Sequence, residues 1–153
     1  MKTCKAMSMD DLESMFRTNV FGFYEMCRHF VSPKISEKGS SILGMSSIAC
    51  LKRESGTSAY SMTKAAVNAM VYSLSAEFMK RQIRINALLP GIVRSKMGED
   101  IDDRTDEEFE RIAVTQPLGA IPVEEIADMI VYMMSDRSAH MTGELITMSG
   151  GYR

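Results

Sequence analysis

Tyr60 and Lys64 stand four residues apart in Tyr60-Ser61-Met62-Thr63-Lys64, and Ser47 lies thirteen residues before Tyr60. On a helix, positions i and i+4 share one face. A phenol and an ammonium would then point to one spot, with a hydroxyl brought in by another element. A phenol with a pKa of about 10 is a poor proton donor or acceptor at neutral pH. A fixed cation beside it favours the phenolate and brings proton transfer into the working range. A second hydroxyl can hold a carbonyl oxygen in place. The trio is a layout for reducing a ketone or oxidising an alcohol. Any long helix can carry tyrosine and lysine at this spacing as a solvated pair, so the surrounding sequence has to carry the reading.

The chain has 153 residues, 45% hydrophobic and 25% charged, with a net charge of −2. These values describe one ordinary globular domain with a real core. They give no electrostatic case for nucleic acid or an anionic membrane, and no apolar run approaches a membrane span. Cys4, Cys27 and Cys50 are scattered and odd in number, which fits a reducing, cytoplasmic compartment. His29 and His140 lack metal-ligand spacing, so no metal site is expected. The 15 methionines speak for adaptable packing.

Elements that could position the trio follow from the pattern. Ser8-Met9-Asp10-Asp11 resembles a capping box. Leu12, Met15, Phe16, Phe23, Met26, Cys27 and Phe30 then form a helical stripe. Asn19 interrupts that stripe on its apolar side, either as a satisfied core amide or as a functional group. Residues 41–45 read as a short buried strand with Ser46 and Ser47 at its end. Residues 58–80 read as a long helix. Tyr60, Lys64, Val67, Val71, Leu74 and Phe78 lie on one face, with Met62, Ala66, Ala69, Met70 and Ser73 on the other. Apolar residues on both sides imply burial on both, one side against a sheet and the other against a second subunit. Residues 83–89 read as a strand closed by Pro90-Gly91. Thr105 to Glu108 forms a second capping box, opening either a solvated helix or a substrate lid. Pro122 suits the first position of an amphipathic helix through Val123, Ile126, Ile130 and Met133. Residues 144–148 form the last strand, ending in Gly150-Gly151. Alternating helices and strands predict a parallel sheet covered by helices. Its sites would lie at the carboxyl ends of the strands, where Ser47 and Pro90-Gly91 fall.

In this order and spacing, the chain resembles the short-chain dehydrogenase/reductase family of Rossmann-type NAD(P)-dependent oxidoreductases. The likeness rests on Thr18-Asn19-Val20, Met45-Ser46-Ser47, Tyr60-x-x-x-Lys64, Arg84-Ile85-Asn86-Ala87, Pro90-Gly91-Ile92-Val93-Arg94-Ser95, Glu125-Ile126-Ala127 and Thr142-Gly143-Glu144. Among its branches the chain is similar to 3-oxoacyl-acyl-carrier-protein reductases. The resemblance implies an α/β fold, the C-terminal part of a doubly wound parallel sheet with flanking helices. It implies Tyr60 as proton donor and acceptor, Lys64 as its activator and ribose ligand, and Ser47 as the group orienting the carbonyl. Ser46 is the rival for that serine role. Asn19 would hold a water linking Lys64 to solvent. Pro90, Gly91 and Val93 would lie beside the nicotinamide. Ser95, where the family usually has threonine, would contact the carboxamide or pyrophosphate.

The chain departs from the family in what precedes Asn19. Its glycines, at 22, 39, 44, 56, 91, 98, 119, 143, 150 and 151, form no G-x-G-x-x-G and no G-x-x-x-G-x-G. The expectation is a single partial domain, 1–153, lacking the dinucleotide-binding half and leaving the edge of strand 41–45 open. Such a chain would be inactive alone, or a non-catalytic oligomerising scaffold, or completed by another chain. The choice between NAD and NADP belongs to the absent half. The segment 96–116 is acidic at its centre, which disfavours docking of an acidic carrier protein there. A small carbonyl or alcohol substrate and a homo-oligomer through the 58–80 helix are expected.

Overall fold

The computed structural model describes residues 2–94 and 114–152. Ser95 and the segment expected to form a capped helix at 105–108 lie outside these residues.

The chain enters through α1 (Met9–Phe16), with Ser8 as its N-cap. The Ser8 hydroxyl accepts from the Asp11 amide at 3.1 Å, and the Asp11 carboxylate accepts from the Ser8 amide at 3.4 Å. The expected capping box is therefore formed. Hydrogen bonds from Lys2 and Ser8 hold the Asp11 carboxyl down at about 2. With the folded value depressed, the contribution of this carboxylate is complete above its unfolded value of about 3.9 and is lost as pH falls through about 2. Replacing Ser8 by alanine should lower stability by about 1 kcal/mol, read as a shift in urea midpoint without change in slope.

Between α1 and α2 (Gly22–Phe30) the helix widens into one π-helical stretch, Arg17–Phe21, closed by the Gly22 amide on the Arg17 carbonyl. The stripe pattern did not anticipate this. The extra residue resets the phase, so Cys27 is buried while Met26 turns out to solvent, 65% exposed.

The main sheet is parallel, with order β1 (Ser41–Met45), β2 (Arg84–Pro90), β5 (Leu145–Met148). Ser41 pairs with Arg84 and Met45 with Leu88 on one side; Ala87 pairs with Leu145 and Pro90 with Met148 on the other. Every residue of β2 is buried. Its alternating side chains divide between two layers. Ile85, Ala87 and Leu89 pack under α3 (Ser58–Phe78) with Val71, Leu74 and Phe78. Leu88 joins Ile126 and Met133 of α4 (Val123–Met134) on the other face. Two polar residues share that second face. Asn86 bonds the Met141 carbonyl at 2.9 Å and the Glu144 amide at 3.0 Å. Arg84 reaches the carbonyls of Met133, Ser135 and Met141. Together they tie the return loop to β2 and so fix where β5 begins and ends. This is the structural content of the Arg84-Ile85-Asn86-Ala87 motif.

Gly44 allows the close layering on the α3 side. A Cβ there would stand 3.0 Å from Phe23 and 3.2 Å from Val67. β1 is an edge strand among the described residues, as expected.

One expectation is corrected. Pro122 is the N-cap of α4 and not its first residue. It also belongs to β4 (Ile121–Pro122), which pairs in parallel with β3 (Val93–Arg94), a small second sheet not foreseen from the pattern. Two-residue strands are too short to show a periodicity. The outer face of α3 is not buried within the chain: Met62 is 46% and Tyr72 57% exposed.

Candidate active site

β1 ends at Met45, and the backbone then turns through Ser46 and Ser47 into a 3-10 turn, Ile48–Leu51. Ser47 is the N-cap of that turn; its hydroxyl accepts from the Ala49 amide at 3.2 Å. The turn is pinned to α3 by Ser61, whose hydroxyl donates to the Ala49 carbonyl at 2.9 Å. Cys50 donates to the Ser47 carbonyl at 2.9 Å, and its sulfur accepts from Asn68 at 3.2 Å.

Lys64 leans back from α3 onto the end of β1. Its ammonium donates to the Met45 carbonyl at 2.9 Å and stands 5.4 Å from the centroid of the Tyr60 ring. The phenol and the ammonium therefore share one face of the helix, and that face meets the carboxyl end of β1. Burial pushes the Lys64 ammonium below its ordinary value, with a smaller opposing effect from Cys50. Among the described residues no carboxylate stands within ion-pair distance of it.

The two candidate serines differ in what they do. Ser46 is buried and donates to the Lys64 carbonyl at 3.1 Å, so its hydroxyl is spent on fastening α3 to β1. Ser47 is half-buried, and its hydroxyl serves as an acceptor at the turn, with its own proton left to donate.

Asn19 lies in the π-helical stretch and faces α3. Its amide donates to the Thr63 hydroxyl at 3.1 Å, which donates in turn to the Tyr60 carbonyl at 2.8 Å. The side chain thus braces the first turn of α3 that carries Tyr60. A π-helical stretch at such a position is a frequent mark of a functional site.

At the end of β2, Pro90 is buried and the Gly91 amide donates to the Met148 carbonyl at 2.7 Å. Val93 opens β3 opposite Ile121. The residue that organises this corner is Gln116, which motif reading passed over. It is fully buried. Its side-chain carbonyl accepts from the Ile92 amide at 2.9 Å, and its amide donates to the carbonyls of Ile92, at 3.2 Å, and Gly119, at 2.5 Å. Gly91 and Gly150 make room for it: a Cβ at either would stand 2.5 Å from the Gln116 side chain. The Gly150 backbone, with φ of 58°, also needs glycine. A glutamine between loops carries no sequence pattern; the two glycines that frame it were the available signal.

The donor set suits the nicotinamide-ribose end of NAD or NADP. An ammonium has three donors, and Met45 takes one, so Lys64 retains donors for ribose hydroxyls. Among the described residues no group of three or more metal-ligating side chains forms, and no helix is long and apolar enough to cross a membrane.

Residues 1–153 match the family described as Enoyl-(Acyl carrier protein) reductase. The chain is 30% identical over 146 residues to the 3-oxoacyl-[acyl-carrier-protein] reductase of Chlamydia trachomatis, which spans 95% of this chain and 58% of that protein. It is 31% identical over 152 residues to the oxidoreductase UcpA of Escherichia coli K12, again covering 95% and 58%. Among solved structures, a short-chain dehydrogenase/reductase from Serratia marcescens superposes with a TM-score of 0.87 at 20% identity, over 99% of this chain and 60% of that one. A short-chain dehydrogenase family protein from Francisella tularensis does so with 0.87 at 26% identity, over 99% and 66%. The chain spans 58% of the length of these curated relatives.

Proposed function

Because this chain belongs to the short-chain dehydrogenase/reductase family, we propose that residues 1–153 carry the catalytic and C-terminal portion of an oxidoreductase. It acts between NAD or NADP and a ketone or secondary alcohol. The observation that carries this reading is the Lys64 ammonium, 5.4 Å from the Tyr60 ring and bonded to the strand end that leads to Ser47.

In the direction of reduction, the Ser47 hydroxyl donates a hydrogen bond to the substrate carbonyl and orients it. Tyr60 delivers its phenolic proton to the same oxygen as charge builds there, and the carbonyl becomes a hydroxyl. Lys64 offsets the negative charge left on the phenolic oxygen and holds the nicotinamide ribose. Asn19, through Thr63, keeps the Tyr60 turn in place and serves the path by which Lys64 is reprotonated. Pro90, Gly91 and Val93 form the wall beside the nicotinamide. Bound NAD(P)H supplies the hydride. In oxidation the same groups act in reverse.

No glycine-rich phosphate loop occurs in residues 1–153, so the 153-residue chain by itself should reduce no ketone with NADH or NADPH. The test joins to Met1 the part of the Chlamydia trachomatis reductase outside the match, to supply the glycine-rich loop that the family resemblance implies. The fusion should bind a reduced nicotinamide cofactor and reduce simple ketones, followed by the oxidation of that cofactor. A folded fusion that binds the cofactor and turns over no ketone sinks this reading.

A second reading draws on the outer face of α3, where Met62 and Tyr72 stay exposed. That face suits self-association through the helix, and a chain that only did this would be a scaffold. Sedimentation of the wild type against Tyr72→Glu, together with the cofactor titration, separates an associating enzyme from an associating remnant.

A further inference from the structure

The inference drawn here rests on the oxidoreductase reading and narrows its substrate. We propose that the cleft between the 3-10 turn and the end of β5 receives a carboxylate of the substrate, held by Lys52 with Arg53 at its side, so that the ketone or alcohol is an acid.

The cleft has a volume of about 440 Å³ and is walled by Ile48 and Leu51, by Lys52 and Arg53, and by Ser149 and Tyr152. Its place follows from the sheet. β1 and β5 flank β2, so residues just past their ends meet over the end of β2. Ile48 follows Ser47 directly. Ser149 borders Gly91, its Cα 3.1 Å from where a Cβ on that glycine would stand. The walls of the cleft thus begin one residue past Ser47 and include the residue that borders Gly91, so the remainder of a bound substrate would run toward it.

Its charge is one-sided. Both ionised residues on its walls are basic. The Lys52 ammonium lies 3.3 Å from the centroid of the Tyr152 ring, which fixes its direction and strips part of its water. Lys52 is half-buried, and burial pushes its pKa down, with Glu54 opposing as the smaller effect. Among the described residues no carboxylate makes an ion pair with it. A partly dehydrated cation without a carboxylate is a cost that an incoming anion removes. One such cation matches the single charge of a carboxylate. Leu51, 65% exposed and on the cleft wall, offers apolar surface for the carbons between that charge and the reacting carbonyl.

The test uses two ketones of one shape, 5-oxohexanoate and 5-oxohexanamide, titrated into the 153-residue chain and followed by amide chemical shifts. The acid should bind about tenfold more tightly than the amide, with shifts concentrated at Ile48, Lys52 and Ser149. Lys52→Gln should remove most of that preference and Lys52→Arg should keep it. If Lys52→Gln fails to fold, Tyr152→Leu takes its place, since loss of the ring platform should also weaken the preference. Equal affinity for acid and amide overturns the proposal. So does a preference that survives Lys52→Gln, or inorganic phosphate displacing the acid at equal concentration. The measurement needs no nicotinamide, so absence of hydride transfer does not affect it, and its failure leaves the oxidoreductase reading standing.

Discussion

Tyr60→Phe in the active fusion should lower kcat for ketone reduction by about 10²–10⁴-fold while leaving KM nearly unchanged. The phenylalanine keeps the ring that faces Lys64 and removes only the oxygen that gives the proton. Without it, a hydride arriving at the carbonyl carbon would leave an alkoxide with no acid within reach. The Ser47 hydroxyl is not a substitute: it can hydrogen-bond the carbonyl oxygen, but an aliphatic alcohol is a far weaker acid than a phenol. The Tyr60 side chain makes no hydrogen bond among the described residues; the Thr63 hydroxyl bonds its backbone carbonyl. The fold should therefore tolerate the change, and the thermal midpoint should move by less than about 2 °C. A parallel loss of stability and rate would mean that Tyr60 is a packing residue. A kcat within about threefold of wild type would remove it from the chemistry altogether.

The parts of this site that could be read from sequence are those with a period or a fixed local geometry. Tyr60 and Lys64 were placed together because four residues make about one helical turn. The strand ends were found because β1 and β2 are short apolar runs closed by polar or Pro-Gly punctuation. The capping box at Ser8 was legible because its hydrogen bonds are local. What remained hidden depends on contacts between distant segments. The π-helical turn around Asn19 adds one residue to the helix, and the interruption of the stripe at Asn19 does not by itself reveal that shift. The division of labour between Ser46 and Ser47 is decided by which hydroxyl faces the Lys64 carbonyl on another element. Exposure along the outer side of α3 does not follow from composition: Met62 is exposed while Met70, equally apolar, packs against the core. Nothing local marks Lys52 in the sequence, because the Tyr152 ring beneath it comes from the distant chain end.

Gln116 is the sharpest case of a residue invisible to pattern, and its replacement should have the largest effect on stability. Gln116→Leu keeps the volume and removes every polar atom of the side chain. The Ile92 amide then loses its acceptor, and the carbonyls of Ile92 and Gly119 lose a donor. A buried group left without its partner costs about 1–3 kcal/mol. Backbone adjustment recovers part of this, so a net loss of about 3–4 kcal/mol is expected. For a chain of this size that corresponds to a fall of roughly 6–16 °C in the thermal midpoint. Gln116→Glu separates hydrogen bonding from packing. One carboxyl oxygen can still accept from Ile92, but the other faces two carbonyls and can donate to one of them only when protonated. Burial and these carbonyls should raise the folded pKa of the new acid. Its stability should therefore be highest below the unfolded value of about 4.3 and fall as pH rises through the folded one. Gln116→Leu, having no titrating group, should show no such added slope. Because Ile92 sits between Gly91 and Val93, both variants in the fusion should also raise KM for the nicotinamide cofactor more than KM for the ketone. If Gln116→Leu melts within about 2 °C of wild type, the glutamine does not hold this corner.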